Sequence, residues 1–147
     1  MKNNKRKPAP KTIVPLWAWI VLVVVVVAVG VAIMQGNTPP ATGLAAEVSV
    51  DQAAQLRDEG AFILDVREPS EWAEFHIPGS TLIPLGELPN RLSEIPTDQP
   101  IVVVCRSGNR SASGRDILLQ AGFGEVTSMS GGVTMWQSQG LPIATGE

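Results

Sequence analysis

The sequence predicts an α/β fold, namely one domain with a mostly parallel central sheet flanked by helices, preceded by a single transmembrane helix. Three observations support this prediction. From residue 47 onward, short apolar runs of strand length alternate with segments of helical spacing. The apolar run Ile101–Val104 leads through a glycine-containing loop into one of these helical segments. Leu16 to Met34 is an uninterrupted run of apolar residues and glycine.

The run from Leu16 to Met34 predicts a single-pass membrane helix. At 1.5 Å per residue it spans about 28 Å, close to the ~30 Å hydrocarbon core of a bilayer. A cleaved signal peptide is the alternative, with a cut at Gly43-Leu44-Ala45, although such peptides usually have a shorter apolar region. Five basic residues precede the run, and no charge follows it before Glu47. The positive-inside rule therefore places the N-terminus in the cytoplasm and the domain outside it, at the cell membrane.

Composition divides the chain into four regions. These are a basic tail over residues 1–15, the membrane span over 16–34, a linker of mostly small residues over 35–46 and a domain over 47–147. After the span the chain has six arginines, no lysine and all 14 acidic residues. This balance excludes nucleic acid as a partner, because binding it requires a basic patch. The single cysteine excludes an internal disulfide bond.

Each element of the domain has a local signal. Ser49 and Gln52 have the spacing of a capping box, and the helix that they begin is expected to stop at Gly60. The predicted strands are Ala61–Val66, Leu82-Ile83, Ile101–Val104 and Glu125–Met129. The other predicted helices are Ser111–Gln120, ending before Gly122, and Val133–Gln139, ending before Gly140.

Cys105 directly follows the run Ile101–Val104, at the carboxyl end of a predicted strand, where ligands bind in open parallel sheets. A loop from a strand into a helix directs backbone N–H groups and the helix dipole at an anion. The thiolate of Cys105 can itself be that anion, and Arg106 and Arg110 add positive charge beside it. The sequence therefore predicts a nucleophilic thiolate. The alternative, a buried and inert cysteine, is disfavoured by its polar and charged neighbours.

Four segments of the domain form a recognisable pattern. They are Leu64-Asp65-Val66-Arg67-Glu68 with Glu71, His76-Ile77-Pro78-Gly79-Ser80 with Ile83-Pro84, the loop from Cys105 to Ser111, and a closing series of Gly122-Phe123, Gly131-Gly132, Trp136 and Gly140-Leu141-Pro142. In this order, from about Ser49 to Pro142, they resemble the single-domain rhodanese sulfurtransferases. Phe75 departs from the pattern, since many members have glycine before the histidine. We expect this departure to alter a turn and not the chemistry.

The resemblance implies a rhodanese-like fold and sulfur transfer, with Cys105 as the nucleophile that forms a persulfide. The residues it implies for binding the persulfide and the donor are Arg106, Ser107, Gly108, Asn109 and Arg110. The resemblance also implies that three residues support the loop, namely Asp65, Arg67 and Ser111. The donor would be a small sulfur-containing anion such as thiosulfate, and the acceptor a thiol or cyanide. No metal or organic cofactor is needed for this chemistry.

Several polar and aromatic residues allow two interpretations. Asp65 and Arg67 form either an acid–base pair or, as we expect, an ion-pair brace that positions the loop from the adjacent strand end. His76 is either a general base or, as we expect, a ring bonded to the backbone. Trp72 and Trp136 either line the pocket or, more simply, pack. The pair Gly131-Gly132 is interpreted as a tight turn and not as a phosphate loop, because the segment lacks the G-x-G-x-x-G pattern that a phosphate loop has between its strand and its helix.

Three other functions compete with sulfur transfer. Phosphatase or arsenate-reductase chemistry also uses a cysteine in an anion cradle, but tyrosine-phosphatase-type loops would place arginine at position 111, where this chain has Ser111. A non-catalytic binding module of this fold often lacks the cysteine. Thiol–disulfide exchange would need a resolving thiol from a partner, since the chain has no second cysteine.

Overall fold

The computed structural model describes residues 43–146, which form a five-stranded sheet with helices on both sides. The strands are β1 (Glu47–Val48), β2 (Phe62–Asp65), β3 (Thr81–Leu82), β4 (Ile101–Val104) and β5 (Val126–Met129). The helices are α1 (Val50–Asp58), α2 (Pro69–Glu74), α3 (Asn109–Gln120) and α4 (Gly132–Ser138), with short 3-10 turns at Leu88–Asn90 and Leu92–Glu94. The strand order is β1-β5-β4-β2-β3 and all pairings between these strands are parallel, which confirms the predicted α/β fold.

The helix caps follow the local signals in the sequence. The N–H of Gln52 donates to Ser49 Oγ at 3.3 Å, and the N–H of Ser49 donates to the Gln52 side-chain oxygen at 2.9 Å, so the predicted capping box is confirmed. Helix α3 begins at Asn109, two residues earlier than predicted, because Gly108 at its N-cap adopts a φ of +111° that ends the loop there. Asn109 and Arg110 therefore belong to the first turn of a helix.

Helix α2 was not predicted from the sequence. Pro69 occupies its first turn, where the missing N–H costs nothing, and the N–H of Glu68 donates to the Glu71 carboxylate at 3.1 Å. This short helix lies between β2 and β3 in the chain, and its first turn carries Glu71 to the candidate site described below.

The core consists of two clusters, one on each side of the sheet. Because side chains alternate along a strand, Val102 and Val104 of β4 pack with Trp136 in one cluster, whereas Ile101 and Val103 pack with Leu118 of α3 in the other. Cys105 continues this alternation and belongs to the cluster on the α3 side. Both sides of the sheet are covered, which explains why β4 is apolar throughout.

The predicted basic tail, the predicted span Leu16–Met34 and the linker up to residue 42 lie outside the described residues and stay predictions. Within residues 43–146 the longest helix has 12 residues, and none of the helices there combines the length and the apolar character needed to cross a bilayer.

Candidate active site

Cys105 lies at the carboxyl end of β4, beside the end of β2, since Asp65 and Val104 are paired in register. Its side chain is only 1% exposed, which corrects the expectation that polar and charged neighbours keep it out of the interior. The reason is the pleat, which turns the side chain towards α3. Gly114 lets that helix approach the sheet closely, since a Cβ there would meet Val103 Cγ1 at 3.0 Å.

The sulfur of Cys105 nevertheless has polar contacts. The backbone N–H of Gly108 donates to Cys105 Sγ at 3.1 Å, and Ser111 Oγ lies 3.7 Å from the same sulfur. The Ser111 hydroxyl in turn donates to the carbonyl of Gly108 at 2.6 Å. A backbone N–H directed at sulfur stabilises the thiolate, so this buried cysteine has the surroundings of a nucleophile.

The loop after Cys105 is held by its carbonyl groups. The N–H of Val133 donates to the carbonyl of Cys105 at 2.8 Å, and the N–H of Thr134 donates to that of Arg106 at 3.2 Å. Because C=O and N–H point in opposite directions in a trans peptide, these bonds direct the N–H groups of Arg106 and Ser107 away from α4. Among residues 43–146, no acceptor is found for these two N–H groups or for those of Asn109, Arg110 and Ser111 in the first turn of α3.

The turn Gly131-Gly132 makes this contact between α4 and the loop possible. Both glycines have a positive φ, +73° and +60°, so the predicted tight turn is confirmed. A Cβ at Gly132 would overlap the carbonyl oxygen of Cys105 and the carbonyl group of Arg106. The turn therefore does more than reverse the chain, since it lets the backbone of α4 lie directly against the loop.

Arg110 and Arg106 meet an acidic residue that was not assigned to the site from the sequence. Arg110 binds Glu71 through two hydrogen bonds of 2.7 and 2.8 Å, and Arg106 Nη1 lies 3.6 Å from the same carboxylate. The hydrogen bonds from Arg110 hold the pKa of Glu71 at about 2, well below its ordinary value of 4.5, although partial burial acts in the opposite direction. Glu71 is therefore ionised at every pH at which the protein would work.

The ion pair between Glu71 and Arg110 is expected to stabilise the fold in a pH-dependent way. Because the pKa of Glu71 is lower in the folded state than in the unfolded one, this contribution is complete above about pH 4.5 and is lost as the pH falls towards 2. Allowing for solvent screening of a partly exposed pair, we expect about 1–2 kcal/mol. Denaturant unfolding of the wild type and Glu71→Gln from pH 7 to pH 2.5 measures it. A stability difference that does not shrink below pH 4.5 would contradict the assignment.

Asp65 and Arg67 form a buried ion pair, which supports the brace and not an acid–base pair. Arg67 Nη2 lies 2.6 Å from Asp65 Oδ2, and Arg67 is 1% exposed. The remaining donors of Arg67 bind the carbonyls of Glu71 at 3.2 Å and Phe75 at 2.9 Å. The support of the loop by this pair stays a prediction, since the other side-chain hydrogen bonds of Arg67 reach α2 and not the loop. The pair holds α2 at Glu71 and at Phe75, and Glu71 in turn binds Arg110 of the loop.

The other candidates have structural contacts. His76 Nδ1 lies 3.1 Å from the carbonyl of Trp72, and the two rings stack with centroids 3.8 Å apart, so the predicted backbone bond of His76 is confirmed. Trp136 is fully buried and donates to the carbonyl of Pro142 at 2.8 Å, as expected for core packing. Phe75 has an extended backbone, with φ −168° and ψ 151°, which any residue can adopt.

Comparison with a family profile and with curated relatives identifies one family. The profile described as rhodanese-like domain matches residues 49–139. A sulfurtransferase of Allochromatium vinosum is 40% identical over 89 residues, which cover 60% of this chain and 83% of the relative. Thiosulfate sulfurtransferase GlpE of Pseudomonas aeruginosa is 38% identical over 91 residues, which cover 62% of this chain and 83% of that relative. The crystal structure of a rhodanese-related protein from Thermoplasma volcanium matches with a TM-score of 0.63 and 29% identity, over 68% of this chain and 98% of that one.

Proposed function

The chain belongs to the rhodanese-like domain family, and from this premise we propose that it is a sulfurtransferase that works through a persulfide on Cys105. The observation that carries the proposal is the hydrogen bond of 3.1 Å from the N–H of Gly108 to Cys105 Sγ, in a loop whose other N–H groups find no acceptor among residues 43–146. Curated relatives named as sulfurtransferases support the class of reaction.

In the first half-reaction the thiolate of Cys105 attacks the outer sulfur of a donor such as thiosulfate. The S–S bond of thiosulfate breaks, and sulfite leaves with the bonding electron pair. Cys105 then carries a persulfide whose terminal sulfur is negatively charged. The free N–H groups of the loop stabilise that charge, because they are fixed by the fold and need no reorganisation during the reaction.

In the second half-reaction an acceptor, cyanide or a thiolate, attacks the terminal sulfur. The S–S bond to Cys105 breaks, the cysteine leaves as a thiolate, and thiocyanate or a new persulfide departs. Arg106 would attract the anionic donor, since its side chain is 57% exposed at the rim of the site. Cys105 is the only cysteine of the chain, so the sulfur must pass to an external acceptor.

The test separates the two half-reactions. We expect the purified chain, treated with thiosulfate alone, to gain the mass of one sulfur atom, and subsequent cyanide to remove that mass as one equivalent of thiocyanate. Sulfite, which has no transferable sulfur, is the matched control and should add nothing. Steady-state rates at several cyanide concentrations should give parallel double-reciprocal lines. A folded protein that gains no sulfur from any donor would contradict the proposal and favour a binding module.

A further inference from the structure

We infer that Glu71 tunes the charge of the donor that this site accepts, by reducing the advantage of the dianion thiosulfate over sulfur donors with one negative charge. The inference rests on the proposed sulfurtransferase function and adds a substrate class to it. The donors meant are thiosulfonates and perthiolates, which carry a transferable sulfur and a single charge.

The argument begins with the positive charges around Cys105. Arg110 is bound by both oxygens of Glu71, at 2.7 and 2.8 Å, and Arg67 is bound by Asp65. In the described part of the chain, Arg106 has no hydrogen-bonded carboxylate, and its distance of 3.6 Å to Glu71 leaves its charge only partly compensated. Two arginines in the loop thus offer an incoming anion little more than one positive charge.

The carboxylate of Glu71 is fixed, so a donor cannot easily displace it. The N–H of Glu68 donates to Glu71 Oε2 at 3.1 Å, and Arg67 holds the carbonyl of Glu71 at 3.2 Å. The side chain is 17% exposed. A dianion that recruited Arg110 would have to break two charge-assisted hydrogen bonds to a carboxylate that is ionised near neutral pH.

The charge of Glu71 therefore acts differently on donors of different charge. Thiosulfate and methanethiosulfonate deliver the same sulfur by the same step. The thiolate attacks the terminal sulfur, the S–S bond breaks, and the electron pair leaves with sulfite in one case and with methanesulfinate in the other. Repulsion by Glu71 is proportional to the charge of the donor. At a distance of several ångströms and a dielectric constant near that of water, this repulsion lowers the affinity for the donor roughly three- to tenfold for each unit of donor charge.

The experiment compares kcat/KM for thiosulfate and methanethiosulfonate, with cyanide as acceptor, in the wild type and Glu71→Gln at low ionic strength. We expect the variant to raise the ratio of thiosulfate to methanethiosulfonate about three- to tenfold, through KM, and added salt to reduce the change. Glu74→Gln is the matched control, since it removes the same charge from an exposed position of α2 and should leave the ratio unchanged. An equal loss for both donors would show that Glu71 only positions the loop, and would overturn the inference.

Arg106→Gln provides a second variant at an exposed side chain, in case Glu71→Gln does not fold. It removes the less compensated cation and should lower kcat/KM for thiosulfate about three- to tenfold more than for methanethiosulfonate. An equal effect on the two donors would again overturn the inference. If the folded wild type transfers sulfur from neither donor, the proposed function itself fails. An active wild type with unchanged donor ratios in both variants would refute the inference alone.

Discussion

Replacement of Cys105 with serine is expected to reduce sulfur transfer at least about a thousandfold, to the rate of the uncatalysed reaction. The serine hydroxyl is not ionised near neutral pH and is a far weaker nucleophile than a thiolate. It can still accept the hydrogen bond that the N–H of Gly108 now donates to sulfur. The loop should therefore keep its shape, and the loss should be chemical.

Two measurements separate this chemical loss from unfolding. Thiocyanate formation and the gain of a sulfur atom by mass spectrometry should both disappear in Cys105→Ser, whereas its unfolding free energy should change by no more than about 1 kcal/mol. Ser93→Ala, at an exposed position in the second 3-10 turn, is the control for a substitution without effect. More than a tenth of wild-type activity in Cys105→Ser would contradict the persulfide on this residue.

The sequence predicted well those features that depend on local signals. The strand Ile101–Val104 was predicted to the residue, because a run of four apolar residues between a proline and a polar loop has no good alternative to a buried strand. The cap of α1 at Ser49 also follows from residues three positions apart. Placing Cys105 at the end of β4 required only that the loop follow this strand.

Features that depend on residues distant in the chain were not predicted. Glu71 and Arg110 are 39 positions apart, and the spacing of Glu68 and Glu71 indicates a helix cap without indicating its partner across the site. The burial of Cys105 depends on how closely α3 approaches the sheet, which is decided by Gly114 against Val103. Charged neighbours in the sequence carry no information about that distance.

The turn Gly131-Gly132 lies between these two cases. Its conformation follows from local glycine preference, but its role depends on a contact with a loop about 26 positions earlier in the chain. The first N–H groups of α4 after this turn bind the carbonyls of Cys105 and Arg106. The orientation of the loop therefore depends on α4 as much as on the loop sequence.

Gly132→Ala is therefore expected to damage both the fold and the site. A Cβ at position 132 would overlap backbone atoms of Cys105 and Arg106, which cannot move aside as the end of a flexible side chain can. A φ of +60° adds backbone strain for alanine, of order 1 kcal/mol. Relief of the overlap would separate α4 from the loop and break the hydrogen bond of 2.8 Å between Val133 and Cys105. We expect the unfolding free energy to fall by about 3 kcal/mol or more.

Gly124→Ala separates this effect from a general cost of replacing glycine. A Cβ at position 124 would have open space around it and its φ is not positive, so the substitution should change stability by less than about 0.5 kcal/mol and leave activity intact. Denaturant unfolding and thiocyanate assays on both variants measure the contrast. Turnover of substrate at the wild-type rate by the folded molecules of Gly132→Ala would mean that the loop holds its N–H groups in place without α4. The carbonyl contacts of Cys105 and Arg106 would then contribute to stability alone, and the persulfide cradle would have to be a property of the loop and the first turn of α3.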